Sequence, residues 1–274
     1  MDHFPPGIPV WQSGLLGAWL VLGIGVYSSL ERLVRTRGGK VTTAGFGLPD
    51  LLLCCGFLAW FGVAIARGFG APEHEVTRSD ILGGAAMFLS LVVLIGGFMY
   101  YRDINPFRQF GLFRRNVFVC AAMALGLFLA VLPVVMVTGK LSEYALNGRA
   151  HPQNIVQYFL SASEGSDKGA VYLTMVIGVL VAPAAEETIF RGYIYGVLKR
   201  YAGPVAAALI SALLFAAMHL NASSLPALFV LALCFTLAYE ASGSLLVNIF
   251  MHAFFNLSMF LVLLGISQHP VVSP

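Results

Sequence analysis

Eight apolar runs of near-spanning length follow one another along the chain, separated by short polar segments. They cover roughly Gly14–Leu30, Leu51–Ala66, Ile81–Tyr101, Val117–Val137, Val171–Phe190, Pro204–Leu220, Leu225–Tyr239 and Ser244–Ile266. About 20 apolar residues carry an α-helix across a ~30 Å hydrocarbon layer, so each run predicts a transmembrane helix, the second, sixth and seventh being short. No run alternates with the period of two that a barrel strand needs, which leaves the helix to satisfy the backbone in lipid. The predicted fold class is all-α: a polytopic helical membrane protein of about eight spans.

Composition agrees. Of 274 residues, 58% are hydrophobic and 11% charged, and the mean hydropathy is +0.83; an average soluble domain carries roughly 25% charged residues. So few charges cannot cover a soluble surface, and the chain is too apolar for disorder. With 16 Lys+Arg against 13 Asp+Glu the formal net charge is only +3, which makes no case for nucleic acid. The expected setting is the lipid bilayer, as a multi-pass protein of the cell (inner or plasma) membrane. Cys54, Cys55, Cys120 and Cys234 lie inside apolar runs without paired spacing, so they read as packing residues rather than disulfides or zinc ligands. The opening MDHFPPGIPV lacks the basic region of a signal peptide, so the first run is expected to stay as an anchor, and HPVVSP carries no lipidation signal.

The polar segments differ in sign. ERLVRTRGGK (31–40) and RDINPFRQFGLFRRN (102–116) each hold four Lys/Arg, which places both in the cytoplasm and the N-terminus outside. Thr138–Ala170 is the longest polar stretch, and NIVQYFL within it suits a short amphipathic helix in the interface. The chain therefore divides into a four-helix membrane region (1–140) of unassigned role, a polar loop (141–170) and a second membrane region (171–266). Ionisable residues deep in apolar runs occur only in the second region.

Those residues form a constellation. Glu186, Glu187 and Arg191 lie in VLVAPAAEETIFRGYIYGVLKR, His219 ends LLFAAMH, and His252 and Asn256 lie in SLLVNIFMHAFFNLSMF. A charge at membrane depth costs about 2.5–3.5 kcal/mol on insertion scales and is a functional hypothesis by default. Glu187 and Arg191 are four residues apart, so they share a helix face as an ion pair, and a buried pair is a structural brace. Glu186 is turned about 100° away, has Phe190 rather than a base at its own i+4 position, and needs a partner from another helix. His252 and Asn256 are again four apart and aim at one point. KRYAGP (199–204) reads as a turn. Glu186 stands 16 residues before position 202 and His219 stands 17 after it, so a helical hairpin brings them to one depth.

A carboxylate and an imidazole meeting at a water, opposite a pair of donors, is the equipment of amide hydrolysis. EETIFR (186–191), FAAMH (215–219) and HAFFN (252–256) match the motifs EExxxR, FxxxH and HxxxN in order. The sequence thereby resembles the type II CAAX prenyl protease and bacteriocin-processing (CPBP) family of intramembrane proteases over roughly residues 171–260. The first four runs match by hydropathy alone. The resemblance implies a CAAX-protease-like endopeptidase whose catalytic domain is 171–266, acting on a membrane-associated peptide or protein. By it, Glu186 and His219 activate the water, His252 and Asn256 form the oxyanion site, and Glu187 and Arg191 support them. It also implies chemistry without a cofactor and a site that opens to the cytosol, and it leaves open whether the substrate is prenylated.

Other readings stay beside this one. Glu186, His219 and His252 are zinc-type ligands, so a zinc-dependent protease of the same fold remains an alternative. Ser242 and Ser244 in ASGS, with His252 as base, would suit a serine peptidase but leave both glutamates and His219 without a task. His74-Glu75 lacks the second His of HExxH. A transporter or scaffold would use the charges as an ion path, but no inverted repeat relates the two halves. Glu240 in YEASGS is expected at an interface, and His3, His74, His151 and His269 fall in polar loops without a role. One tension is visible already. With both basic loops inside, a straight helix from the 199–204 turn puts Glu186 about 24 Å from that face, towards the outer leaflet.

Overall fold

The computed structural model describes residues 10–69, 75–146, 153–165 and 167–268; His3, His74, His151 and His269 lie outside them. The described residues are all-helical, with no strand. The long helices are α1 (Val10–Arg37), α2 (Leu48–Gly68), α3 (Arg78–Tyr101) and α5 (Val117–Ala145), with a one-turn α4 (Pro106–Gln109) between the last two. After α6 (Asn154–Glu164) comes a continuous helical run from α7 (Lys168–Val176) through α8 (Ala182–Glu187) to α9 (Gly196–Ala217), followed by α10 (Leu225–Ser242) and α11 (Leu245–Gln268).

Among the described residues seven helices are long and apolar enough to span a bilayer, and one of them, Lys168–Ala217, is 50 residues long. This reconciles seven with the eight expected. At Gly203 the backbone turns to φ 81°, ψ 166°, a conformation that glycine reaches without a Cβ clash, and Pro204 follows with no N–H to continue the ladder. The long run is thus two arms, matching the fifth and sixth apolar segments. Val21, Val93 and Val205 are each at least 70% exposed, apolar surface that makes physical sense against lipid tails.

Helix starts are set by local chemistry. Thr77 and Asp80 form a reciprocal capping box on α3, while Asn116 and Asp167 accept backbone N–H groups at the starts of α5 and α7. The two halves of the sequence share one core. Phe57, Phe61, Ile95, Val131, Phe190 and Phe235 all belong to a single buried cluster, and α5 packs on α1, α10 and α11. Helix α6, which includes NIVQYFL, buries Phe159 against Phe260 with ring centroids 4.8 Å apart, so it lies along α11. Cys54, Cys120 and Cys234 are buried and unbridged, Cys55 exposed and unbridged.

At one end of the bundle the basic segments are locked together. Lys40 donates its N–H to Glu240 O (2.8 Å) and its Nζ to Ala241 O (2.6 Å). Arg114 donates to Lys40 O at 3.0 Å, and Arg115 Nε to Ser242 O at 3.1 Å. Glu240, in the last turn of α10, is 3% exposed, accepting from Tyr195 Oη and Lys199 Nζ, each at 2.5 Å. Asp50, also fully buried, takes an ion pair from Arg102 and the N–H of Gly47 at 2.7 Å.

Candidate active site

The local backbone around the two glutamates departs from a regular α-helix. Wide π turns at Ile177–Val181 and Thr188–Tyr195 flank the six residues of α8, a distortion that often marks functional sites. Sequence explains the first of them. Ala182 donates its N–H to Ile177 O, five residues back. In that register the carbonyl of Gly178 would accept from residue 183, which is proline and has no N–H. The orphaned carbonyl is taken by a side chain instead: Asn256 Nδ2 donates to Gly178 O at 2.7 Å. In the second π stretch, Ser211 Oγ reaches Phe190 O at 2.9 Å.

Glu187 points into the protein and is fully buried, as is Arg191. Its Oε1 accepts from Arg191 Nη1 at 3.0 Å and from His252 Nδ1 at 2.9 Å, and its Oε2 from Asn248 Nδ2 at 3.4 Å. Arg191 stacks over Phe215 at 4.1 Å and Phe235 at 5.2 Å, so ring faces hold the parts of the guanidinium that Glu187 does not reach. The expected ion pair is present, and it also orients a histidine, which the spacing did not reveal. Asn248 was missed by sequence reading. It stands four residues before His252, as Asn256 stands four after, so the stripe 248–252–256 on α11 was its available signal.

Glu186, one residue earlier, faces the other way. Its Oε2 lies 3.9 Å from His252 Nε2, the partner from another helix that the sequence required. His219 Nδ1 pairs with Phe215 O at 2.9 Å. A carbonyl only accepts, so Nδ1 carries the hydrogen, and in the neutral ring Nε2 keeps its lone pair. The ring of Phe215 packs edge-on against both histidines, its centroid 4.9 Å from that of His219 and 5.8 Å from that of His252.

Glu186, His219, His252 and Asn256 all line one cavity of about 860 Å³. Phe88, Val156, Phe255 and Met259 give it apolar walls, and Asp80, Glu143, Gln153, Asn221, Ser223 and Ser224 lie around it. Glu187 and Arg191 do not line it. The arrangement offers a carboxylate and an imidazole lone pair to a water, with a second imidazole and an amide on the facing helix. Among the described residues no group of three or more His, Cys, Asp or Glu is placed to hold a metal ion. Ser242 and Ser244 sit in the α10–α11 turn with backbone partners, Ser242 Oγ bonding Tyr239 O and Ser244 O, and neither lines the cavity.

No curated protein and no solved structure matches the chain. Residues 168–258, about a third of the chain, match the family model of the type II CAAX prenyl endopeptidase Rce1-like proteins, and this stretch holds Glu186, Glu187, Arg191, His219, Asn248, His252 and Asn256.

Proposed function

We propose that the protein is an intramembrane endopeptidase that hydrolyses a peptide bond with a water activated by Glu186 and His219. The observation that carries this reading is the division of labour between adjacent carboxylates. Glu187 is consumed by Arg191, His252 and Asn248, while Glu186 stands in the cavity with His219, His252 and Asn256.

In this reading the water gives a proton to Glu186 while its oxygen attacks the scissile carbonyl carbon. His219 Nε2 accepts a hydrogen bond from the same water and holds its lone pair on the carbon. The carbonyl oxygen becomes an oxyanion facing His252 and Asn256, placed as donors where charge develops. With Nδ1–H held by Glu187, His252 donates through Nε2 only when the ring carries both protons. Collapse of the tetrahedral intermediate breaks the C–N bond, and the proton taken by Glu186 passes to the leaving amine. One water is consumed, and one carboxyl and one amine terminus are formed. No bound metal enters these steps.

The test is peptide cleavage by the purified protein. Glu186→Gln keeps shape and removes the base, so turnover falls by at least the ~10² of a lost general base, and wild-type activity persists after dialysis against strong chelators. Near wild-type cleavage by folded Glu186→Gln protein refutes the assignment. Loss on chelation that zinc alone restores moves the site to the metalloprotease alternative.

A further inference from the structure

We infer that helix α3 carries the specificity wall of the site: the face Ile81, Gly84, Ala85 and Phe88 forms a pocket for one large apolar side chain of the substrate polypeptide, and the small residues Gly84 and Ala85 set its size limit. This rests on the hydrolase reading above and names the substrate feature that the site selects.

Every residue given a chemical role comes from 168–258, the stretch that the family model matches. Part of the cavity wall does not. Helix α3 packs against α8, which bears both glutamates, and against the π turns on either side of it. Ile81, Gly84, Ala85 and Phe88 all line the cavity that holds Glu186. They stand at i, i+3, i+4 and i+7, one face of a helix. That face changes character at Phe88. Further along it Leu91, Ile95 and Met99 are buried in the main core, and Phe88 packs on that core while lining the cavity, so its ring closes the pocket. At the other end Asp80 also lines the cavity, but its Oδ2 is taken by the N–H and hydroxyl of Thr77, at 2.8 and 2.6 Å.

Small residues on an inward helix face have two uses: they let another helix come close, or they leave room. This molecule shows both. A Cβ at Gly192 would meet the Phe110 ring at 3.2 Å, and one at Gly196 the Phe46 ring at 2.6 Å, so those glycines serve close packing. A Cβ at Gly84 meets no heavy atom within 4 Å, although Gly84 is half-buried and lines the cavity. The space beside it is open. It is also apolar. From Ile81 to Phe88 the face offers no hydrogen-bonding side chain, and Ala182 and Ala185 of α8, on the same cavity, add none. A polar side chain lodged there would lose its water without gaining a partner, whereas Leu, Met or Phe gains by burial. Glu186 follows Ala185 directly, so the side chain in this pocket belongs to a residue beside the scissile bond.

The experiment uses the full-length protein in mild detergent and a substrate library in which a randomised decapeptide adjoins a single transmembrane helix. Cut sites and their flanking residues are read by mass spectrometry, with Glu186→Gln protein as the blank. The wild type should prefer Leu, Met or Phe at one position beside the cut. Gly84→Leu fills the pocket, and Leu is a better helix former than Gly, so the fold is kept. In this variant the ratio of kcat/KM for large against small residues at that position should fall by about 10- to 100-fold, while Ala substrates are cut as by the wild type. Gly84→Ala should shift the profile the same way by less, and it carries the test if Gly84→Leu melts far below the wild type. Gly83→Leu, on an exposed part of the same helix where a Cβ also meets no atom, should leave the profile unchanged. An unchanged profile in active Gly84→Leu protein overturns the inference, and it is the result expected if a bilayer acyl chain rather than the substrate fills the space. A wild type without the preference, an equal loss for every residue, or an equal shift in Gly83→Leu overturns it too. Absence of Glu186-dependent cleavage by the wild type refutes the hydrolase reading and takes this inference with it.

Discussion

Replacing Glu187 by Gln tests whether the buried carboxylate is a brace rather than a base. Arg191 is fully buried, and its Nη1 reaches Glu187 Oε1 at 3.0 Å, its one ion-pair partner among the described residues. The remaining nitrogens, Nε and Nη2, have no hydrogen-bond partner and rest against the rings of Phe215 and Phe235. Neutralising Glu187 therefore strands a buried cation, a cost of about 3–5 kcal/mol. For a chain of this size, at roughly 2–4 °C per kcal/mol, that is a loss of about 6–20 °C in melting temperature. Glu187→Gln also weakens the acceptor that fixes His252, so turnover falls as well. Glu186→Gln removes a charge whose nearest partner is 3.9 Å away and should melt at or slightly above the wild type. Glu187→Gln combined with Arg191→Met leaves neither charge stranded and should recover most of the stability but not the activity. The assay is melting temperature in mild detergent for the four proteins, beside turnover. If Glu186→Gln melts far below Glu187→Gln, or the double change brings no recovery, the division between the two carboxylates is wrong.

Asn248→Ala removes the donor to Glu187 and to Phe235 O without touching the cavity; kcat should fall by roughly tenfold, less than the ~10² of a misplaced reacting group, with KM unchanged. A KM effect equal to the kcat effect would instead place Asn248 at the substrate. Glu240→Ala leaves the Lys199 ammonium with Val41 O but without its carboxylate and should cost stability on the scale of about 3–5 kcal/mol, yet leave turnover per folded molecule near wild type; a specific loss of turnover would show that this pair takes part in catalysis. Asn256→Ala leaves the Gly178 carbonyl unpaired, worth about 1–3 kcal/mol if water does not reach it, and abolishes the donor. In a Pro183→Ala background residue 183 has an N–H for that carbonyl, so the stability cost of Asn256→Ala should shrink while its activity cost remains. Equal stability costs in both backgrounds would separate Asn256 from the proline.

Much of this was legible in the sequence because membrane insertion makes polar residues conspicuous. Spacing of four found Glu187 with Arg191 and His252 with Asn256, and hairpin counting placed Glu186 and His219 at one depth; all four cavity residues lie on one cavity. What escaped were contacts between distant segments. Asn248 is an ordinary residue in an apolar helix until Glu187 and Phe235 O are seen beside it. The burial of Glu240 was hidden because its partners, Lys199 and Tyr195, stand 41 and 45 residues away. Asp50 and Arg102 are separated by 52 residues, and no local pattern links them. Seven spans rather than eight follows from one glycine at positive φ, which bends a helical run without ending it.

The π turns explain how one short helix serves two environments. Successive residues on an α-helix differ by about 100°, so two adjacent carboxylates cannot share a face. Here that incompatibility is put to use: Glu187 takes the face packed on α11 and Glu186 the face on the cavity. A regular helix would carry the chain straight through, with its own carbonyls satisfied and no backbone acceptor left for a neighbour. Pro183 removes one N–H in the π register, and the exposed Gly178 carbonyl draws Asn256 across from α11. Glu187 draws His252 and Asn248 from the same helix. Three polar residues at spacings of four are thus tied to the glutamate helix by a backbone defect at one end and a buried charge at the other. The cost of burying those groups is met by contacts that also fix the distance between the carboxylate that faces the cavity and the donors opposite it.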